Sequence, residues 1–164
     1  MRIAGIVYDS IVDGIGLRDV LFVQGCNHRC AGCQNPHTWN YDGGYEMTPY
    51  DAALQFKDSN NDITISGGEP FDQPQAVIEF ASHIYRQNPK KTIWIYTGYL
   101  YENIEKFAQQ IYNLQAVVDG KFDKDLTKTG LLFRGSSNQR LIDVVKSRAQ
   151  GKVIEYELEM NEDE

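Results

Sequence analysis

The chain has 164 residues, of which 41% are hydrophobic and 12% aromatic, and its formal net charge is −7. These values are typical of one globular domain that is large enough to form a core. The acidic balance excludes the basic surface that nucleic-acid binding requires, and no apolar run approaches the roughly 18 residues of a transmembrane helix. We therefore predict one domain, residues 1–164, that binds neither nucleic acid nor a membrane.

The sequence also predicts a cytoplasmic location. The first eight residues lack the basic segment and the apolar segment of a secretory signal. The chain holds three cysteines, and an odd number does not favour a disulfide framework. We therefore expect thiols that stay reduced in the cytoplasm.

The first half of the chain is predicted to contain three strands and one helix. A short apolar run at 19–24 is typical of a buried strand, and Thr48 followed by Pro49 is typical of a helix start. The predicted strands cover residues 2–9, 19–24 and 62–66, and the predicted helix covers about 49–57.

The second half alternates strands and helices more regularly, because apolar spacing switches between short runs and intervals of three or four residues. The predicted strands cover 92–97, 116–119, 131–133 and 153–160, and the predicted helices cover 75–87, 100–112 and 139–148. Alternation with short connections predicts an α/β fold with a mainly parallel sheet. Residues 151–164 carry −5 of the net charge, so we predict an acidic edge strand and tail there.

All three cysteines lie on one short loop, with the spacing Cys26-x-x-x-Cys30-x-x-Cys33. Three such thiolates can ligate three irons of a cuboidal iron–sulfur cluster and leave the fourth iron open. An open coordination position on a metal is typical of a catalytic site. A zinc site completed by His28 or His37 is an alternative, although structural zinc sites usually draw their ligands from two separated knuckles.

A glycine turn, Gly67-Gly68-Glu69-Pro70, follows the strand predicted at 62–66. Glycines allow the backbone to approach a ligand closely, and Glu69 could receive an ammonium group or lie in solvent. Loops at the carboxyl ends of parallel strands gather at one edge of the sheet. We therefore expect this turn to lie beside the cysteine loop.

The cysteine spacing and the glycine turn together resemble the radical S-adenosylmethionine superfamily. Further segments are Trp-Ile-Tyr-Thr-Gly-Tyr at 94–99, Val-Asp-Gly-Lys-Phe at 118–122 and Phe-Arg-Gly-Ser-Ser-Asn-Gln-Arg at 133–140. With the loop at 25–39, they resemble the anaerobic ribonucleoside-triphosphate reductase-activating proteins, a family of glycyl-radical enzyme activases. The resemblance implies a compact partial (β/α) barrel of the radical S-adenosylmethionine type.

The resemblance also implies a reaction and its cofactors. A low-potential donor such as flavodoxin would reduce a 4Fe–4S cluster held by Cys26, Cys30 and Cys33. Reductive cleavage of S-adenosylmethionine at the open iron would give a 5′-deoxyadenosyl radical. That radical would remove hydrogen from a glycine of the anaerobic reductase, which is the implied protein partner.

The resemblance further implies which residues bind S-adenosylmethionine. It assigns Gly67, Gly68 and Glu69 to the amino group and Lys121 to the carboxylate, with an ordinary surface lysine as the alternative for Lys121.

Many superfamily members place an aromatic residue directly before the third cysteine, against the adenine. This chain and the activase family have glycine there, at Gly32. Adenine is then expected against the backbone around Gly32 and Gln34, or against Trp39 or Phe71.

His28 is expected to donate to a cluster sulfur or to lie in solvent. The segment 133–140 is expected on the same rim, where it would shape the pocket or meet the reductase; a capped helix start is the alternative.

Two other functions stay open at this point. They are a radical S-adenosylmethionine enzyme with a small-molecule substrate and a zinc-binding interaction module.

Overall fold

The computed structural model of the protein describes residues 1–157, and a seven-stranded sheet is its main element. The strands are β1 Arg2–Ser10, β2 Arg18–Val23, β3 Tyr45–Glu46, β4 Asp62–Gly67, β5 Ile93–Tyr96, β6 Leu114–Asp119 and β7 Arg140–Asp143. The α-helices are α1 Pro49–Leu54, α2 Pro74–Gln87, α3 Tyr101–Ala108 and α4 Val144–Gln150. Three short 3-10 helices cover Pro36–Thr38, Pro70–Asp72 and Lys124–Leu126.

The sheet has a parallel centre and antiparallel edges. Its order is β3-β1-β2-β4-β5-β6-β7, with β2, β4, β5 and β6 parallel to one another. β1 runs antiparallel to both β2 and β3, and β7 runs antiparallel to β6. The α/β class is therefore confirmed, and the parallel arrangement holds for the centre of the sheet. The connection at 11–17 is too short for a parallel crossover, which takes a dozen or more residues.

The main hydrophobic core lies between the helices and one face of the sheet. Side chains on a strand point alternately to the two faces, so Ile63 and Ile65 of β4 join this core with Phe80 of α2. Thr64 points to the other face. There a smaller cluster is centred on Trp94 and includes Ala116, Val118 and Leu141. The helices thus cover one face and leave part of the other available for a site.

The prediction of a helix over 139–148 is wrong in its first half. Residues Arg140–Asp143 form β7, and α4 begins at Val144 with Asp143 as its N-cap. Leu141 packs into the Trp94 cluster, whereas Ile142 packs into the main core. A strand buried on both faces has no polar alternation, so its apolar run resembles a helix in the sequence.

Two other predicted strands differ from the structure. Residues 131–133 form no strand, and Phe133 adopts a left-handed backbone with φ of 60°. At the carboxyl end, Glu155 makes a single antiparallel bridge to Ile142 beside β7. Residues 158–160 of the predicted edge strand lie outside the described residues.

The other predicted elements are confirmed, with α2 at its expected length and α1 and α3 shorter than expected. α1 ends at Leu54 and α3 ends at Ala108, and turns follow both helices. The Thr48 side chain accepts a hydrogen bond from Asp51 N at 3.0 Å, as expected for the cap of α1. In the described part of the chain, no helix has the length and apolar character needed to cross a membrane.

Candidate functional site

An open cleft of about 540 Å³ lies on the face of the sheet opposite the main core. It is bordered by the loops that follow β2, β4, β5 and β6. Of the predicted site residues, the cleft brings together Cys26, Cys30, Cys33, Gln34, Gly67, Gly68 and Glu69. Lys121 is exposed and lines a second cavity of about 340 Å³ instead. Clefts of this size hold small ligands and cofactors.

Backbone hydrogen bonds close the cysteine loop on itself. Gly25 N donates to Thr38 O at 2.6 Å, and Cys26 N donates to Trp39 O at 3.2 Å. Cys26 is buried, whereas Cys30 and Cys33 are partly exposed. All three thiols are free of disulfides, and the loop presents them to the cleft. The chain thus offers three thiol ligands on one wall of the cleft.

The surroundings of the thiols suit iron–sulfur ligation. Asn35 N donates to Cys33 Sγ at 3.4 Å, and hydrogen bonds to cluster sulfurs tune reduction potentials. Burial raises the pKa of the Cys26 thiol, against a smaller lowering by backbone N–H groups of His28 and Arg29. Cys26 must therefore lose a proton when it ligates a metal.

The same thiols do not converge on one point. Within residues 1–157, no three or more His, Cys, Asp and Glu side chains lie close enough together to hold one metal ion. Zinc would require such convergence, with Zn–S distances of about 2.3 Å. A cuboidal cluster does not require the three thiols to meet at one ion, because each thiolate ligates a different iron.

Glu69 lies buried at the end of β4 and accepts hydrogen bonds from four groups. Its Oε1 accepts from Gly98 N at 2.7 Å and lies 2.7 Å from His28 Nε2, and its Oε2 accepts from Phe71 N at 2.9 Å. The Thr97 hydroxyl reaches both oxygens, at 2.9 and 2.8 Å. Glu69 is 0% exposed, and these bonds use the roughly four acceptor positions of a carboxylate. Glu69 is therefore not a solvated turn residue. The chain itself fixes its orientation.

His28 connects the cysteine loop to this carboxylate. Its ring packs edge-on against Tyr99, with centroids 4.6 Å apart and an interplanar angle of 73°. The side chain is only 8% exposed. His28 therefore does not lie in solvent, and its Nε2 bonds to Glu69. The separation of 41 positions between the two residues explains why no motif spacing predicted this contact.

The glycines of the turn allow it to approach the cysteine loop. Gly68 N donates to Val23 O at 2.8 Å, and Glu69 N donates to Gly25 O at 2.8 Å. A Cβ at position 68 would lie 2.4 Å from Gly25 O, which is too close. Gly98 is similar, because its Cβ would lie 2.5 Å from the His28 ring. The glycines thus have a packing role between the loops.

The segment 133–140 forms the opposite wall of the cleft. Gln139 Oε1 accepts from Gly135 N at 2.8 Å, and Gln139 Nε2 donates to Gly120 O at 2.9 Å. Asn138 Nδ2 donates to Lys121 O at 2.8 Å. These bonds tie the segment to the loop after β6. Its predicted position on the same rim is confirmed, because Phe133, Arg134, Gly135 and Gln139 all line the cleft.

Phe122 was not predicted as a site residue, although it lines the cleft next to the cysteine loop. A Cβ on Gly32 would lie 3.4 Å from Phe122 Cε1, so the phenylalanine occupies space beside the residue before the third cysteine. Phe71, by contrast, is 6% exposed and belongs to the main core. Of the two aromatic residues proposed for adenine, Trp39 alone lines the cleft.

Comparison with known proteins agrees with this geometry. Residues 12–142 match the family model described as a 4Fe-4S single cluster domain. The anaerobic ribonucleoside-triphosphate reductase-activating protein of Escherichia coli K12 is 38% identical over 140 residues, which are 79% of this chain and 90% of that protein. The chain belongs to the family of anaerobic ribonucleoside-triphosphate reductase-activating proteins. The member from Salmonella typhi is 39% identical over the same shares, and that of phage T4 is 38% identical over 82% of this chain and 92% of its own.

Membership of the activating-protein family decides between two interpretations of the cysteines. The matched domain is named for one 4Fe-4S cluster, and the match includes Cys26, Cys30 and Cys33, which are all the cysteines of the chain. The zinc-binding module is therefore not supported. The match also extends through the segment 133–140, which forms the opposite wall of the cleft.

Proposed function

We propose that the protein activates an anaerobic (class III) ribonucleoside-triphosphate reductase by generating its glycyl radical. The observation that carries this proposal is the joining of the three-cysteine loop to the buried Glu69 turn at one cleft, in a chain whose relatives are named as activators of that reductase. The reductase is the protein partner. A low-potential donor such as flavodoxin supplies the electron.

Cys26, Cys30 and Cys33, which line the cleft, would hold a 4Fe–4S cluster and leave its fourth iron without a protein thiolate. S-adenosylmethionine would occupy the cleft, which has the volume of a small-ligand site. A cluster bound there would supply the electron for reductive cleavage of the C5′–S bond of S-adenosylmethionine, and the resulting 5′-deoxyadenosyl radical would take a hydrogen atom from a glycine of the reductase. The cofactors supply this chemistry, and the protein supplies orientation and exclusion of water.

The residues of the chain have distinct tasks in this proposal. Gly67 and Gly68 bring the turn against the cysteine loop, so that a ligand at the open iron also meets the turn. Glu69 places a negative charge on that wall, where it favours the ammonium group of S-adenosylmethionine. His28 holds Glu69 in position from the cysteine loop, at 2.7 Å.

The adenine would lie near Gly32, Gln34 and Phe122. Gln34 lines the cleft, and the absence of a side chain on Gly32 leaves the Phe122 ring next to the loop. Aromatic side chains can stack on any nucleobase, because every base has a π-face. Phe122 would thus take the part played by the aromatic residue that other superfamily members place before the third cysteine.

The wider fold and location belong to the same proposal. The parallel centre of the sheet, with its loops gathered around one cleft, would belong to a compact partial (β/α) barrel of the radical S-adenosylmethionine type. Residues 1–164 would form one such domain with an acidic carboxyl end. The protein would act in the cytoplasm, where the reductase and the donor are available and thiols are reduced.

A loop of the reductase would reach the cleft beside residues 11–17. Val12 and Asp13 of the 11–17 loop line the cleft, and Ile11 and Val12 are 74% and 71% exposed. Arg18, the first residue of β2, holds this loop, because its Nη1 donates to Ile15 O at 3.1 Å. Adjacent exposed apolar side chains at the border of a cleft are typical of a protein contact surface. An extended loop of the reductase that carries the glycine would lie along this border.

Anaerobic reconstitution with iron and sulfide tests the proposal. We expect a brown protein with charge-transfer absorption that, once reduced, converts S-adenosylmethionine to methionine and 5′-deoxyadenosine. A colourless protein that retains zinc would contradict it. A protein that cleaves S-adenosylmethionine and modifies a small molecule, but leaves the reductase without a radical, would favour the small-molecule enzyme instead.

A further inference from the structure

Arg134 lies at the wall of the cleft and has no ion-pair partner among residues 1–157. Its side chain lines the same cleft as the three cysteines and Glu69. Its Nε is buried and has no hydrogen-bond partner among residues 1–157. The ion pairs found in this part of the chain do not include Arg134. A buried guanidinium N–H that meets no acceptor costs free energy, so such a group calls for a ligand.

The neighbours of Arg134 in the segment 133–140 are all engaged within the chain. Ser136 Oγ accepts from Asp123 N at 3.1 Å, and Asn138 and Gln139 bond to the backbone of the loop after β6. Arg140 pairs with Glu102 at 2.8 Å and with Asp119. These residues therefore build the wall. Arg134 is the charged member of the segment that the wall does not use.

The backbone next to Arg134 is held in an unfavourable conformation. Phe133 has φ of 60°, which is a rare and strained backbone conformation for a bulky residue. Its ring packs edge-on against Trp94, with centroids 5.3 Å apart and an interplanar angle of 80°. On the other side, a Cβ at Gly135 would lie 2.8 Å from the Phe122 ring. Packing at positions 133 and 135 thus fixes the backbone that carries the Arg134 side chain.

The charges around the cleft leave this position for an anion. Arg134 is the one arginine or lysine among the described residues that line the cleft, whereas Asp13 and Glu69 line it with carboxyl groups. His28 is bonded to Glu69. Lys121, the residue first expected to bind a carboxylate, is exposed and borders the other cavity. A planar guanidinium matches a carboxylate with two parallel hydrogen bonds.

We propose that Arg134 binds the α-carboxylate of S-adenosylmethionine, in place of Lys121. This inference rests on the proposed function, because it requires S-adenosylmethionine in the cleft. The ammonium group would face the wall of Glu69, and the carboxylate would face the wall of Arg134. The two walls would thereby fix the orientation of the methionine end of the ligand at the open iron.

Binding of two ligands to the cluster-loaded, oxidised protein tests the inference, because no cleavage occurs without reduction. The ligands are S-adenosylmethionine and decarboxylated S-adenosylmethionine, which keeps the sulfonium and the amine and lacks the carboxylate. Titration calorimetry of Arg134→Ala should show an affinity for S-adenosylmethionine about 10- to 100-fold lower than that of the unsubstituted protein. The affinity for the decarboxylated ligand should be nearly unchanged. Arg134→Lys should recover part of the loss.

Matched variants separate the inference from its alternatives. Lys121→Ala should bind both ligands normally, and a selective loss of S-adenosylmethionine there would overturn the assignment. Equal losses of both ligands in Arg134→Ala would mean that the wall had deformed, as expected for Asn138→Ala, and would also overturn it. Normal binding with poor activation of the reductase would place Arg134 against the reductase instead. If the unsubstituted, cluster-loaded protein binds neither ligand, the proposed function itself fails.

Discussion

His28 Nε2 lies 2.7 Å from Glu69 Oε1, and this contact joins the cysteine loop to the glycine turn. Both side chains are almost fully buried, with 8% and 0% of their surface exposed. The two motifs are 41 positions apart in the sequence and form one wall of the cleft through this bond. His28 therefore adds a side-chain bond to the backbone bond from Glu69 N to Gly25 O, which also holds the turn against the cysteine loop.

The first prediction concerns this bond. His28→Ala should lower the free energy of unfolding by about 1–3 kcal/mol, because Glu69 then loses one of its buried donors. The affinity of the cluster-loaded variant for S-adenosylmethionine should fall as well. Thermal denaturation and calorimetry measure the two effects. His83→Ala is the control, since His83 lies on α2 and packs against Tyr50, away from the cleft. Normal stability and normal affinity in His28→Ala would show that the bond has no positioning role.

The second prediction concerns the charge of Glu69. In Glu69→Gln an amide nitrogen must face one of the N–H donors of Phe71 and Gly98, so stability should fall. The affinity for S-adenosylmethionine should fall more than the iron content, because the negative charge near the ammonium is also lost. Glu79→Gln, at a side chain 60% exposed, is the control. Unchanged affinity with loss of the cluster would assign Glu69 a purely structural role.

The third prediction concerns the ligands of the cluster. Cys26→Ala, Cys30→Ala and Cys33→Ala should each abolish cleavage of S-adenosylmethionine, since two thiolates hold neither the geometry nor the potential of the cluster. Iron analysis and detection of 5′-deoxyadenosine measure the outcome. A variant that kept both full iron and full cleavage would remove that cysteine from the ligand set.

The fourth prediction concerns the adenine. Phe122→Ala should weaken binding of S-adenosylhomocysteine about tenfold, within the 1–3 kcal/mol of an aromatic stacking contact. Binding of methionine, which lacks the base, should not change. Tyr112→Ala, at an exposed ring that stacks on Tyr85 of α2, is a control for loss of an aromatic side chain. Equal weakening of both ligands would indicate a collapsed wall rather than a lost stacking partner.

The fifth prediction concerns the contact with the reductase. The double variant Ile11→Ser and Val12→Ser should lower the yield of glycyl radical several-fold, because both side chains are exposed at the border of the cleft. Cleavage of S-adenosylmethionine without the reductase should continue at the normal rate. Val145→Ser removes a side chain of similar exposure, 61%, from α4 and should have no effect. A normal radical yield in the double variant would exclude this loop from the contact.

Much of the fold follows from local sequence features. Strands β2, β4, β5 and β6 are short apolar runs that end at glycine, and the helices between them have clear apolar spacing. β7 did not follow from the sequence, because Leu141 and Ile142 are buried on opposite faces and no polar alternation marks the strand. Phe133 lies in the segment 131–133, which the sequence predicts as a short strand. Its packing against Trp94 instead imposes a left-handed backbone.

The site, like the fold, has parts that the sequence predicts and parts that depend on tertiary packing. The cysteines and the Gly67–Glu69 turn are contiguous motifs whose residue types indicate their chemistry, so the sequence located them. The contacts of His28 with Glu69 and of Phe122 with the cysteine loop join residues far apart in the chain. The availability of Arg134 depends on which neighbours already have partners. Such properties arise from tertiary packing, and spacing in the sequence does not contain them.

The central claim is that this chain makes a glycyl radical in the anaerobic ribonucleoside-triphosphate reductase. Its most direct test is electron paramagnetic resonance of the reconstituted protein mixed anaerobically with the reductase, a low-potential reductant and S-adenosylmethionine. The account predicts a glycyl-radical signal that is absent when S-adenosylmethionine is omitted or when Cys30→Ala replaces the normal protein. A fully reconstituted protein that cleaves S-adenosylmethionine but leaves the reductase without this signal would contradict it.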